Sequence, residues 1–109
     1  MAEPYLNDVT RLADEWSSAD GRVGNLECDH FFSGAAVYRD GGIVATLTPV
    51  GLAFKVSPDV HDGLIGSGRA APLRYFPKAP IKKNWVVFEE PDTVPGNDAI
   101  DLILGEFPP

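Results

Sequence analysis

Cys28, Asp29 and His30 stand together in the stretch NLECDHFF, with Asp40 close behind. Thiol, imidazole and carboxylate are the groups from which a nucleophilic site or a zinc site is built. On a strand, Cys28 and His30 project to the same side, so two metal ligands are conceivable there. A structural zinc site takes four ligands, and the other histidine, His61, is far off in sequence. Catalysis by Cys28 or Ser33 with His30 would also need an orienting acid and an oxyanion hole, which neighbours on one strand rarely assemble. A cysteine in this setting is usually inert packing. Glu89 and Glu90 are adjacent, so on a strand they face opposite ways and cannot form an acid–base pair. GLIGSGR, residues 63–69, has neither the G-x-G-x-x-G order nor the lysine-serine ending of a phosphate loop, and it reads as the end of a short helix. The expectation is no catalytic residue, no metal and no cofactor, hence no enzyme.

The cations offer different chemistry. Lys78, Lys82 and Lys83 gather in PKAPIKKNW, beside Trp85, where an anion could be held and a base could stack. Arg69 and Arg74 could hold an anion as well. The formal net charge is -7, however, with only 9 Lys and Arg in the chain. Phosphate binding depends on Lys and Arg neutralisation, so specific nucleic-acid binding is not expected. Three lysines between two strands also serve as a solvated connection that discourages edge pairing.

The elements that position these groups are legible from periodicity. The 109 residues suit one domain spanning 1–109, and 44% hydrophobic with 23% charged residues is ordinary for a globular protein. Residues 4–17 predict a helix, with Tyr5 or Leu6, then Val9, Leu12, Ala13 and Trp16 on one stripe. NLECDHFF, AAVYR, GIVATLT and LAFKV predict a meander of strands. Asp40-Gly41 is a hairpin signal, because a primed turn needs positive φ at both central positions. Pro49 and Gly51 in TPVG fit a type I turn. Ser57 reads as an N-cap with Pro58 at the first helical position. PLRYF and NWVVFEE predict two further strands, and PGNDAIDLILGEF a last helix capped near Asn97, with Ile100, Ile103 and Leu104 buried.

This order resembles the N-terminal domain of the TfoX/Sxy family. The resemblance rests on Phe32-Ser33-Gly34, VYRDGG at 37–42, Phe54-Lys55-Val56, LRYF and NWVVFEEP, and it runs from about Phe31 to Phe107. Ser33 stands where relatives often have a second glycine. The resemblance implies an α+β fold of two layers, with helices packed on one face of a mostly antiparallel sheet of five or six strands. It also implies a regulatory role, since family members are described as regulators of natural competence in which a helical C-terminal domain follows. The chain stops at GEFPP without that second domain, so full competence-regulator activity is not expected to carry over.

Three expectations remain. No apolar window is long enough to span a membrane, the N-terminus has no signal-peptide pattern, and the single Cys28 fits a reducing compartment, which together point to the cytoplasm. The sheet face opposite the helices is expected to carry Tyr38, Val44, Thr46 and Lys55, with Val86 and Phe88, and to contact a protein partner or a second copy in a homodimer. The alternative is a small-molecule or anion-binding protein, or a small enzyme, with a pocket between the sheet and the 63–69 turn.

Overall fold

The computed structural model describes residues 3–108. Helix α1 (Glu3–Ala19) leads through a 3₁₀ turn at Gly21–Val23 into β1 (Leu26–Phe31), β2 (Gly34–Arg39), β3 (Gly42–Thr48) and β4 (Gly51–Lys55). Helix α2 (Pro58–Gly66), β5 (Ala71–Pro72), β6 (Trp85–Phe88) and helix α3 (Gly96–Leu104) complete the order. The six strands form one antiparallel sheet, β1-β2-β3-β4-β6-β5. The fold is α+β, with the helices on one face.

Alternation along the strands decides which side chains meet the helices. Ala35, Val37, Ala45, Leu47, Leu52, Phe54 and Val86 join Val9 and Trp16 of α1, Val60 and Leu64 of α2, and Ala99, Ile100, Leu102 and Ile103 of α3 in the main core. Phe54 is fully buried and lies 6.0 Å from the Trp16 ring and 6.1 Å from Phe88, within the range of favourable aromatic pairs. The stripe read on the first helix is the buried one: Val9, Ala13 and Trp16 are buried, and Tyr5, Leu6 and Leu12 pack at its margin.

The local signals act as expected at several joints. Asp40 and Gly41 have φ of 53° and 82°, and they close the β2–β3 hairpin between Arg39 and Gly42. The Ser57 hydroxyl accepts from the Val60 N–H at 3.3 Å, capping α2 behind Pro58. Asp20 caps the 3₁₀ turn by accepting from the Arg22 N–H, while Arg22 also pairs with Glu106 at 2.9 Å, which ties the first helix's exit to the C-terminal segment. The Arg22 hydrogen bonds hold the Asp20 carboxyl below its ordinary range.

Two sequence readings are corrected. PLRYF is not a strand beyond Pro72: residues 73–84 form a loop. Leu73 turns inward to pack under Ala53 and Val87 rather than continuing the edge, and the Leu73 carbonyl accepts from the Lys82 N–H at 2.9 Å, closing the loop. Helix α3 begins one residue before Asn97, at Gly96, with Pro95 in the cap position and no side-chain cap. Its buried face includes Ala99 and Leu102 beside Ile100 and Ile103, whereas Leu104 is only half-buried.

Candidate functional site

The second sheet face is covered over its middle strands. Ala36, Thr46, Ala53, Val87 and Ala71 lie on one cross-strand row, and their small size leaves room for the loop 73–84 to lie across them. Leu73, Ala53 and Val87 make a small second core, flanked by Val50, Ala71, Tyr75 and Trp85. The Tyr75 hydroxyl lies 3.3 Å from the Thr46 hydroxyl, within hydrogen-bond reach, which satisfies both groups beneath the loop. Burial pushes the Tyr75 phenol up, partly offset by that contact with Thr46.

This cover dismantles the interface expected from parity. Thr46 is fully buried. Between Ala45↔Val37 and Ile43↔Tyr38 strand β3 has one residue more than β2, so Val44 is the extra residue of a bulge and packs against the helix-side core. Val86 and Phe88 likewise face the helices. Of the expected set, Lys55 is exposed, while Tyr38, Val44 and Phe88 are half-buried, the last two against the helix-side core. Parity arguments fail where a bulge shifts the alternation and where a loop unseen by periodicity covers the sheet.

The same loop creates a different feature. Among the described residues three large hydrophobic side chains are exposed: Phe32 at 88%, Phe76 at 60% and Ile81 at 49%. All three line one groove of about 580 Å3, together with Ser33, Tyr75, Ala79, Pro80, Lys82 and Lys83. One wall is the β1–β2 turn at Phe32-Ser33 and the other is the loop. The walls are joined by aromatic contacts, since Phe31 lies 4.7 Å edge-on from Phe32 and 5.7 Å, tilted, from Tyr75. The loop is braced by the Arg74 guanidinium, which donates to the Ala79 carbonyl at 3.1 Å, and by the Ala79 N–H, which donates to the Phe76 carbonyl at 2.9 Å.

Phe32 occupies a backbone position that suits other residues better. Its φ is 46°, while Ser33 is not in the positive-φ region, a II′-like pattern in which the first central position favours glycine. A bulky residue there is strained, and strain of this kind gathers at functional positions. The aromatic ring is held out into solvent at a cost in backbone energy.

The cationic candidates separate. Arg69 donates to Asp98 Oδ2 at 3.1 Å, and its guanidinium sits 5.1 Å from the centre of the Phe107 ring, so it fastens the end of α2 to α3 and the C-terminal segment. Arg74 braces the loop. Lys78, Lys82 and Lys83 are exposed and, among the described residues, belong to no ion pair. The 63–69 turn is a helix end, with Ser67 as the C-cap of α2 and Gly68 at φ 76°.

The Cys28 and His30 side chains are not brought into a site. Cys28 Sγ packs toward α1, 4.0 Å from the Val9 carbonyl oxygen, whereas His30 is exposed near the end of β1. His61 Nδ1 lies 3.0 Å from Asp62 Oδ1 on α2. No three of His, Cys, Asp and Glu converge among the described residues. Burial pushes the Cys28 thiol up, leaving less of the reactive thiolate at neutral pH. Folded protein is therefore expected to react with an aromatic disulfide reagent well below the rate of the unfolded chain, which should titrate as one thiol. Equal rates before and after unfolding would refute this placement of Cys28.

Compared with known proteins, the chain gives no significant match to a family model, a curated protein or a solved structure. No helix among the described residues is long and apolar enough to cross a membrane. Periodicity hides the groove, because it places Phe32 on a strand face and Phe76 within a strand, whereas both lie outside the strands. Two signals could have found it: an aromatic at a turn between strand runs, and an isoleucine set among prolines and lysines.

Proposed function

We propose that the protein is a non-catalytic interaction domain that docks a partner protein through the groove between the Phe32-Ser33 turn and the loop 73–84. The observation that carries this reading is the convergence on that groove of all three large hydrophobic residues exposed among the described residues. Exposed apolar side chains scattered singly need no explanation, whereas a contiguous set with a polar rim is the composition of an interface. The TfoX/Sxy resemblance supports a regulatory use of such docking in the cytoplasm. Self-association through a Tyr38 and Lys55 face has little to recommend it once Thr46 is buried and Val44 turned inward.

A second reading, a small-molecule site, takes its support from the groove's volume of about 580 Å3, which falls within the usual range of ligand pockets. Selection from a random-peptide display library, run in parallel with a fragment screen by NMR, separates the two. Peptides enriched on the wild type are expected to lose binding to a Phe76→Ser, Ile81→Ser variant with an unchanged circular dichroism spectrum. Phe32→Gly should weaken the same peptides while holding or raising the melting temperature, because glycine relieves the strained φ. Failure to enrich peptides, or enrichment indifferent to these variants, would reject the docking reading. Fragments that perturb the groove in the absence of any peptide would favour the second.

A further inference from the structure

The groove's electrostatics identify the partner's chemistry, an inference that rests on the docking reading above. Residues 73–84 contain Arg74, Lys78, Lys82 and Lys83 and no Asp or Glu, although the chain as a whole carries a net charge of -7. Four of its nine basic residues therefore belong to the loop that forms one wall, and two of them, Lys82 and Lys83, line the apolar groove itself. We infer that the occupant is a short peptide segment of another protein, with apolar or aromatic anchors flanked by Asp and Glu. The anchors would sit against Phe32, Phe76 and Ile81, and the flanking carboxylates would meet the lysine rim.

Charge also argues against the other occupants. A second copy has no further exposed large hydrophobic residue among the described ones to insert into the groove. Its remaining option, groove against groove, would bring two sets of lysines together, and like charges in an interface oppose association. A nucleic-acid strand or an anionic membrane is a polyanion that extends past the rim and meets the acidic remainder of the molecule. A short acidic peptide can be confined to the groove, beside Lys82 and Lys83.

The test compares three synthetic peptides that share one core of two leucines and a tryptophan, flanked by glutamates, glutamines or lysines. Fluorescence anisotropy on the full chain is expected to show the glutamate peptide binding about tenfold tighter than the glutamine peptide, and the lysine peptide weakest, from a few exposed charge pairs acting together. The preference should shrink as salt is raised. In a Lys82→Glu, Lys83→Glu variant it should reverse. Equal affinity for all three peptides, lost in Phe76→Ser, would overturn the charge inference while leaving the docking reading intact. No binding of any peptide at the groove would remove the docking reading itself. A dimer in sedimentation that Phe76→Ser dissolves would instead make the second copy the occupant. Tighter groove binding of single-stranded oligothymidylate or of phosphatidylserine vesicles than of the glutamate peptide would reassign the site to a polyanion.

Discussion

Gly34→Ala is expected to lower the melting temperature by about 20 °C, the equivalent of about 4 kcal/mol in a domain of this size. Gly34 opens β2 directly after the Phe32-Ser33 turn and is buried against the end of β3. A Cβ there would overlap the Leu47 carbonyl oxygen and lie 2.8 Å from Thr48 Cα. Both are backbone atoms of a paired strand, so no side-chain rotation can relieve the overlap. A domain has only about 5–15 kcal/mol to lose, so a change of this size leaves a marginal fold. Gly21→Ala is the control, because a Cβ at Gly21 meets nothing within 4 Å. Melts followed by circular dichroism decide the matter. A Gly34→Ala melt within a few degrees of the control would show that the hairpin does not seat against β3 as described. The same contact explains why the Phe32-Ser33-Gly34 motif ends in glycine: it lets one groove wall close onto the sheet.

The second large effect is expected at the other wall. Leu73 is fully buried, in a cluster with Ala53 and Val87, and its carbonyl anchors the Lys82 N–H. Truncating a buried leucine costs about 2–5 kcal/mol, set by how far the surroundings collapse into the cavity. Leu73→Ala should fall near the middle, with a melting temperature lowered by about 15 °C. The main core, which lies on the opposite face of the sheet, keeps its contacts. The loss should therefore be concentrated in the loop, with faster amide exchange at Lys82 and Ala79 than in β3 and weaker peptide binding at the groove. Uniform acceleration of exchange across all six strands would contradict a separable loop. A shift below about 1 kcal/mol, small for any buried large-to-small change, would contradict the packing of Leu73 itself.

Much of this protein is legible in its sequence. The stripe Val9, Ala13, Trp16 specifies a helix with one buried face, because apolar residues recur near the helical period. Asp40-Gly41 specifies a hairpin, because few residue pairs accept two positive φ values in succession. Ser57-Pro58 starts α2, and Cys28 packs toward α1. These are local matters, settled by the backbone preferences of a few neighbouring residues.

The functional surface was not local. The bulge at Val44 arises from how β3 must meet β2, and it moves a side chain from one face to the other without a mark in the alternation. The fate of residues 73–84 depends on contacts with Ala53, Thr46 and Val87, which lie in other strands and are small enough to accept Leu73 and Tyr75. By itself the sequence determined the three helices, the four-strand meander and the last strand, in order, and a helix-backed antiparallel sheet, since periodicity and turn chemistry act over a few residues. Only the tertiary structure decided that a loop covers the middle of the second sheet face and that Phe32, Phe76 and Ile81 meet beside the lysines, because burial and exposure are properties of packing between segments distant in sequence.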